Sequence, residues 1–540
     1  MDPTMYPRPR GHRPLIMGRS GAVGANHPLA TQAGLDALRA GGNAIDAAVA
    51  ISLALGVVEP MMSGLGGDGF YHVHVAATGA ALVYNGTGPA PLAATPAAFP
   101  DGMAVDGPRS VSVPGSLAAL GAMHAAHGRR AWATLAAAAI GHAREGFAAT
   151  HGYRHFATDN QPRLAADPRS RAVFLDDAAA PGLAALIRQP DLAATLEAIA
   201  AEGPETFYRG ALARRLAAGL EAAGALVSAA DLAGLEAEVQ TPISIRYRGF
   251  EVRQTPPNST GFVMLQMLGI LAHFDLAALS PAERVHVMVE AKKRAFLDRE
   301  RHGSDPRFET IPIVRLLSDG VTAEHAASIS LDRASDVTLR LPEHAAGDTT
   351  YFCVVDAEGN AVSGIQSLNS AFGSGVTAGN TGVLLNNRMA YWHLDPHHPN
   401  RLQPGKRVRH TMNAPMVFRD GALWGVLGTP GADNQVQVNV QVLTAMTDLG
   451  LDPQTAIELP RWTSSQAGQG ANWPHDGDAA LTIERDAGEA VLAGLARRGH
   501  VLKQVGHLEG PCAMQAIRVM PNGVRMAASD TRRDGWAAAY

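Results

Sequence analysis

The stretch GDTTYFCVVDAEGNAVSGIQS, residues 347–367, restricts the fold more than any other part of the chain. It is an apolar stretch entered through Gly-Asp and left through Glu358-Gly359-Asn360, a sequence that favours a tight turn. In a strand, Thr349, Tyr351, Cys353 and Val355 share one face, and Thr350, Phe352 and Val354 the other. Both faces are largely apolar, so the strand must be covered on both sides, deep inside a layered fold. The run opens with two threonines behind a polar, irregular segment. A threonine pair placed there is where a concealed N-terminal nucleophile would sit. The plain alternative is a strand that begins with two β-branched residues, which is ordinary.

A chain of 540 residues has room for roughly two to four core-forming units. Hydrophobic residues make up 46 % and charged residues 18 %, with a formal net charge of −5 and no basic block, which describes a soluble protein. Nucleic-acid and membrane-surface roles usually require a positive patch, so neither is expected. Cys353 and Cys512 cannot make a disulfide framework in a chain this long. The N-terminus lacks the apolar run of a signal peptide, and the most apolar segment, 44–58, is interrupted by Asp46 and too short to span a bilayer. The expectation is a cytoplasmic protein.

His27-Pro28 opens a helix closed by Gly41-Gly42, and a second helix from Asn43 to about Leu55 is apolar almost all round and therefore buried. The Gly-rich loop 63–69 invites a phosphate-binding reading, but it lacks the Lys-Ser/Thr ending of a nucleotide loop. A tight loop packed on a buried strand fits better. Residues 70–84 read as a hairpin, and SVSVPGSLAALG as a strand turning into a helix at Pro114-Gly115. Ala/Leu helices over 131–225 read as covering structure. Ser280, Pro281 and Glu283 are an explicit helix start. Residues 312–346 read as a polar, irregular surface excursion.

His393, His397 and His398 near Asp395 raise the question of a metal, but Pro396 and Pro399 prevent a regular helix that would align them. A polar loop is the better reading, and no metal or cofactor is expected. There is no G-x-S-x-G elbow for a serine hydrolase. Cys353 sits mid-strand with no basic partner nearby and reads as a buried structural thiol. The turn 428–432, GTPGA, follows an apolar strand, and successive N–H groups in such a turn can hold an oxyanion.

Together these pieces resemble the γ-glutamyltransferase family of N-terminal-nucleophile hydrolases, from Gly21 almost to Tyr540. The resemblance rests on HPLAT with GGNAIDAAVA, VVEPMMSGLGGDGF, SVPGS, TPPNSTG, EAKKRAFLDRERHGSDP, DTTYFCVVDAEGNAV, KRVRHTMNAPMVF and SDTRRDGWAAAY, all in the family's order. It implies an α/β (α+β) fold, a four-layer αββα sandwich. It also implies a proenzyme cut between Asp348 and Thr349 into a large subunit, 1–348, and a small one, 349–540, intertwined in one domain. A dimer of such heterodimers is an assembly the resemblance allows. Thr349 would be the nucleophile, and its freed α-amine, with an ordinary pKa near ~8, the base. Ser367 matches the position that hydrogen-bonds the nucleophile, with Asn369 two residues on. Gly431 and Ala432 match the pair whose N–H groups hold the oxyanion. The family has glycine at both, and Ala432 keeps the N–H.

At the substrate end the chain departs from relatives that take glutathione. Their carboxylate-binding arginine is Asn85 here, their ammonium-binding aspartate is Tyr391, and their two carboxylate-binding serines are His410 and Thr411. Charged hydrogen bonds contribute ~1.5–3 kcal/mol each, so losing both charged contacts disfavours a γ-glutamyl donor. In exchange Arg388 appears, with Arg409 and His410 close to the same pocket in the family's layout and Tyr391 and Trp392 as an aromatic wall. NNRMAYWHLDPHHPN and PGKRVRHTMN look most like the oxamate amidohydrolase branch, which releases oxalate and ammonia in purine breakdown. The small-molecule substrate implied is thus a carboxylate amide, with a γ-glutamyl amide as the alternative. A binding protein that never cleaves itself is a third reading.

Overall fold

The computed structural model describes residues 11–336, 348–475 and 478–540. Its centre is two seven-stranded sheets. The first runs, edge to edge, 536–539, 21–25, 348–356, 361–369, 68–75, 80–86 and 238–240. The second runs 16–18, 525–529, 515–519, 422–428, 416–419, 250–254 and 243–247. Neighbours within each sheet are antiparallel.

Side-chain alternation stacks the layers. Tyr351, Cys353 and Val355 lie in one buried cluster with Phe70, Met416, Phe418, Val426 and Ile517, so they fill the space between the sheets. Phe352 and Val354 point the other way, into a cluster with the helices Pro28–Arg39, Ala44–Val58 and Trp132–Glu145. The outer face of the second sheet carries Val252, Val417 and Leu427 against the helices Gly261–Leu271, Pro281–His302 and Asn434–Thr447. The result is an αββα sandwich with strand Asp348–Asp356 in a central position. Both of these sheets take strands from before and after Asp348, so a cut there would leave two fragments that share the two central sheets.

Local signals start the helices where the sequence places them. Asn43 and Asp46 form a reciprocal capping box, as do Ser280 and Glu283 with Pro281 in the first turn. Gly67 must be glycine for a different reason: a Cβ there would stand 2.3 Å from the Ser367 carbonyl oxygen. The Gly-rich loop is therefore a close backbone packing against strand Ala361–Asn369.

Two expectations need correction. Residues 110–113 form no strand, because their backbone donors go elsewhere: Ser112 N–H to Asn386 Oδ1 at 3.0 Å and Val113 N–H to the Pro89 carbonyl at 3.2 Å. The excursion 312–346 includes two short helices, Ile313–Leu316 and Asp319–Ala327, and residues 337–346 lie outside the described residues. No helix among the described residues is long and apolar enough to cross a membrane.

Candidate active site

Thr349 stands where its strand leaves the regular ladder. Asp348 pairs with Asn369 and Thr350 with Gln366, so two residues on one strand span three on the other. The extra residue is a bulge that re-aims the side chains at the strand end. Leu368 N–H turns out of the ladder to the Met62 carbonyl, 3.0 Å away, and Asn369 takes a φ of +85°. Thr349 is buried, and its Oγ1 donates to Ser367 Oγ at 3.2 Å. Thr350, on the opposite face, donates from Oγ1 to Glu59 Oε2 at 2.6 Å.

Ser367 Oγ accepts two further bonds, from Asn369 N–H at 2.8 Å and from Arg388 Nη2 at 3.1 Å. Asn369 is fixed in turn. Its Nδ2 donates to the Asn387 carbonyl and to Asn472 Oδ1, and its Oδ1 accepts from Arg388 Nη1 at 3.2 Å. Arg388 is only 1 % exposed and lies in the short turn Arg388–Tyr391, its guanidinium 4.5 Å over the Tyr391 ring. Its Nε donates to Asp68 Oδ2 at 3.0 Å.

Asp68 completes the centre. It is fully buried and accepts from Gly88 N–H, Arg388 Nε and His410 Nε2. Burial alone would raise its pKa. The His410 hydrogen bond, the Arg388 charge and the Gly88 N–H outweigh that and hold the carboxylate below its usual range. His410 Nδ1 accepts from Met412 N–H, which places the ring proton on Nε2, facing Asp68. Burial, reinforced by Arg388, lowers His410 to about 4. At neutral pH the cation opposite Asp68 is therefore Arg388, and His410 is a neutral donor. Tyr391 reaches Thr411 Oγ1 at 3.1 Å, and burial raises its phenol pKa.

The turn after strand Ala422–Gly428 carries Gly431 at φ +118° and Ala432 at φ +48°. Among the described residues neither N–H has a hydrogen-bond partner, so both are available to an oxyanion. Asp433 follows them and is ion-paired with the buried Arg299.

Arg409 departs from the expected pocket: its Nη1 is spent on Glu300 at 2.7 Å. Asn85 is buried beside Thr87 and Asn258, two of its hydrogen-bond partners, and is linked to His410 through Asn258, whose carbonyl accepts from His410 N–H. Trp392 is buried beside Tyr391, and its carbonyl bonds His475. Cys353 is a free, buried thiol, and burial pushes its pKa far up. Of Asp348 only the backbone is described.

The histidine loop is less polar than expected, because His393 is buried between the rings of His398 and His475. Its neighbours do not suit a cation. Glu300 is taken by Arg299 and Arg409, and His398 Nδ1 accepts from Asn400 N–H, which leaves Nε2 protonated. Only His393 Nε2 lacks a partner there. In the second His/Glu group, His286 bonds His500 and the Ser330 carbonyl, and Glu290 bonds Lys293 and Arg294.

Sequence reasoning missed Asp68, Glu59 and Asn472. Asp68 stood in plain view as the acid inside GLGGDGF, at the mouth of a strand.

A threonine at the head of a central strand of an αββα sandwich, with a hydroxyl partner, is the arrangement of an N-terminal-nucleophile hydrolase. The gamma-glutamyltranspeptidase family model matches residues 30–540, and the chain belongs to that family. It is 36 % identical over 533 residues to the glutathione hydrolase-like YwrD proenzyme of Bacillus subtilis, covering 97 % of this chain and 99 % of the relative. It is 35 % identical over 532 residues to the oxamate amidohydrolase proenzyme of Klebsiella pneumoniae, covering 96 % and 98 %. The crystal structure of cephalosporin acylase from Bacillus halodurans superposes with a TM-score of 0.90 at 33 % identity, covering 100 % of this chain and 99 % of that one. The chain is thus an amide-hydrolysing enzyme of the family.

Proposed function

We propose that the chain cuts its own Asp348–Thr349 bond and that the freed Thr349 hydrolyses the amide of a small carboxylic acid, with oxamate the leading candidate. The observation that carries this reading is the placement of Arg388, a buried guanidinium one hydroxyl away from Thr349. Its five N–H groups exceed the bonds it makes to Asp68, Asn369, Ser367 and Tyr391, so it can still receive a substrate carboxylate. A substrate ammonium is disfavoured beside it, because like charges repel and the nearby carboxylate, Asp68, is already paired with Arg388.

In this reading Thr349 Oγ attacks the amide carbon while its α-amine takes the hydroxyl proton. The N–H groups of Gly431 and Ala432 hold the oxyanion, and the protonated amine gives its proton to the departing ammonia. Water, activated by the same amine, then opens the acyl ester on Thr349 and releases the diacid. The oxamate amidohydrolase relative supports the choice of acid, and the relatives' names support a precursor that is processed.

The test is ammonia release from oxamate beside release of p-nitroaniline from its γ-glutamyl amide. Oxamate turnover in excess supports the reading. Preferential γ-glutamyl cleavage would replace it with the glutathione-type activity, and a chain that stays at 56.4 kDa by intact mass would replace it with a binding role.

A further inference from the structure

Under the mechanism above the base is the Thr349 α-amine, and it works only while neutral. An ordinary α-amine titrates at about 7.7–8.0, so its surroundings decide how much of it is neutral near pH 7. The ionisable groups around it come from several elements. Arg388 is two hydrogen bonds away through Ser367, and Asp68 lies behind Arg388. His410 and Tyr391 are held neutral. Glu59 binds the next residue, Thr350, and Asp433 is paired with Arg299 beside the oxyanion turn.

Asp68 is also the cross-strand partner of Ser367, so the carboxylate, the guanidinium and the serine hydroxyl form one rigid unit. We propose that Asp68 is a positioning residue that sets the protonation of the Thr349 amine through Arg388. Arg388 disfavours the ammonium form and lowers the amine pKa, whereas Asp68 holds the guanidinium on Ser367 and offsets part of its charge. This inference rests on the N-terminal-nucleophile mechanism and not on which acyl group is cleaved.

The two charges have opposite signs, so their removal must act in opposite directions. Asp68→Asn keeps an acceptor for Arg388 and removes the negative charge, and the amine pKa falls. Arg388→Gln removes the positive charge, and it rises. A merely structural role would lower rates or stability in both variants and leave the midpoint in place.

The experiment uses self-cleaved protein, checked by intact mass and thermal unfolding, with p-nitrophenyl acetate as an acylating probe that needs no substrate carboxylate. The burst of p-nitrophenolate is followed from about pH 5 to 9 in the wild type and both variants. The acid-limb midpoint should move down by about half a pH unit or more in Asp68→Asn and up by a similar amount in Arg388→Gln, as expected for a charge at this distance. Unchanged midpoints in folded variants, or shifts in the same direction, overturn the proposal. If Asp68→Asn does not fold, the direction of the Arg388→Gln shift decides. Failure of oxamate as a substrate leaves these midpoints as they are, whereas a wild type that neither cleaves itself nor shows a burst would overturn both readings.

Discussion

Asp68 and Ser367 face each other across adjacent strands, and Arg388 bridges them with Nε on the carboxylate and Nη2 on the hydroxyl. This register ties Asp68 and Arg388 to Thr349. Ser367 receives the Thr349 hydroxyl on one side and the Arg388 guanidinium on the other. A change in how Arg388 is held therefore reaches Thr349 through a single oxygen atom.

Thr349→Ala removes the only group proposed to attack in both self-cleavage and turnover. The variant should run as one chain of 56.4 kDa and show no amide hydrolysis. Intact mass and an ammonia assay check this, and two fragments with residual turnover would rule out Thr349 as the nucleophile.

Arg388→Gln should weaken a carboxylate substrate selectively. A lost charged hydrogen bond contributes about 1.5–3 kcal/mol, so kcat/KM for oxamate should fall roughly 10- to 100-fold. Acylation by a neutral ester at a pH where the amine is fully deprotonated should fall much less. Equal losses on both substrates would mean that Arg388 serves only to hold Ser367.

The parts of the fold that were legible in the sequence are those governed by local periodicity. The alternation of Tyr351, Cys353 and Val355 against Phe352 and Val354 separates the inner from the outer core, and the Ser280–Glu283 box starts its helix as written. What was not legible depends on register. Asp68 acquires a role only when its strand is set against Ser367. Arg409 and His410 are adjacent in the chain, and the resemblance places both close to one pocket. In an extended segment successive side chains face opposite ways, so His410 meets Asp68 while Arg409 meets Glu300. The strand expected at residues 110–113 fails for a related reason. Its sequence alternates correctly, but Asn386 and Pro89 capture its backbone donors first.

Under the proposed function, Asn85 and Tyr391 are the positions where a γ-glutamyl substrate would need charge. Asn85→Arg with Tyr391→Asp should raise γ-glutamyl-p-nitroanilide cleavage relative to oxamate by about tenfold or more, the scale of one restored charged contact. The new aspartate would also compete with Asp68 for Arg388, so oxamate turnover should fall in absolute terms. An unchanged ratio in a folded, self-cleaved double variant would show that neither position reads the substrate.

Stability should begin to fall in the range where histidines titrate, before the carboxylates do. Burial lowers His27, His72 and His410 to about 4, against about 6.5 in an unfolded chain. Between those values the unfolded state binds more protons, so these rings stabilise the fold fully above about pH 6.5 and lose that contribution as pH falls toward 4. Each could contribute up to about 3 kcal/mol. Asp68 and Asp530 have lowered pKa values, so their contribution persists above about pH 4 and is lost only below it. The urea midpoint should therefore drop between about pH 7.5 and 4.5. His72→Asn, which keeps a donor near the Ala414 carbonyl, should flatten that slope by about one proton. A midpoint that holds constant down to about pH 4.5 would mean that the buried imidazoles take up protons without opening the sandwich.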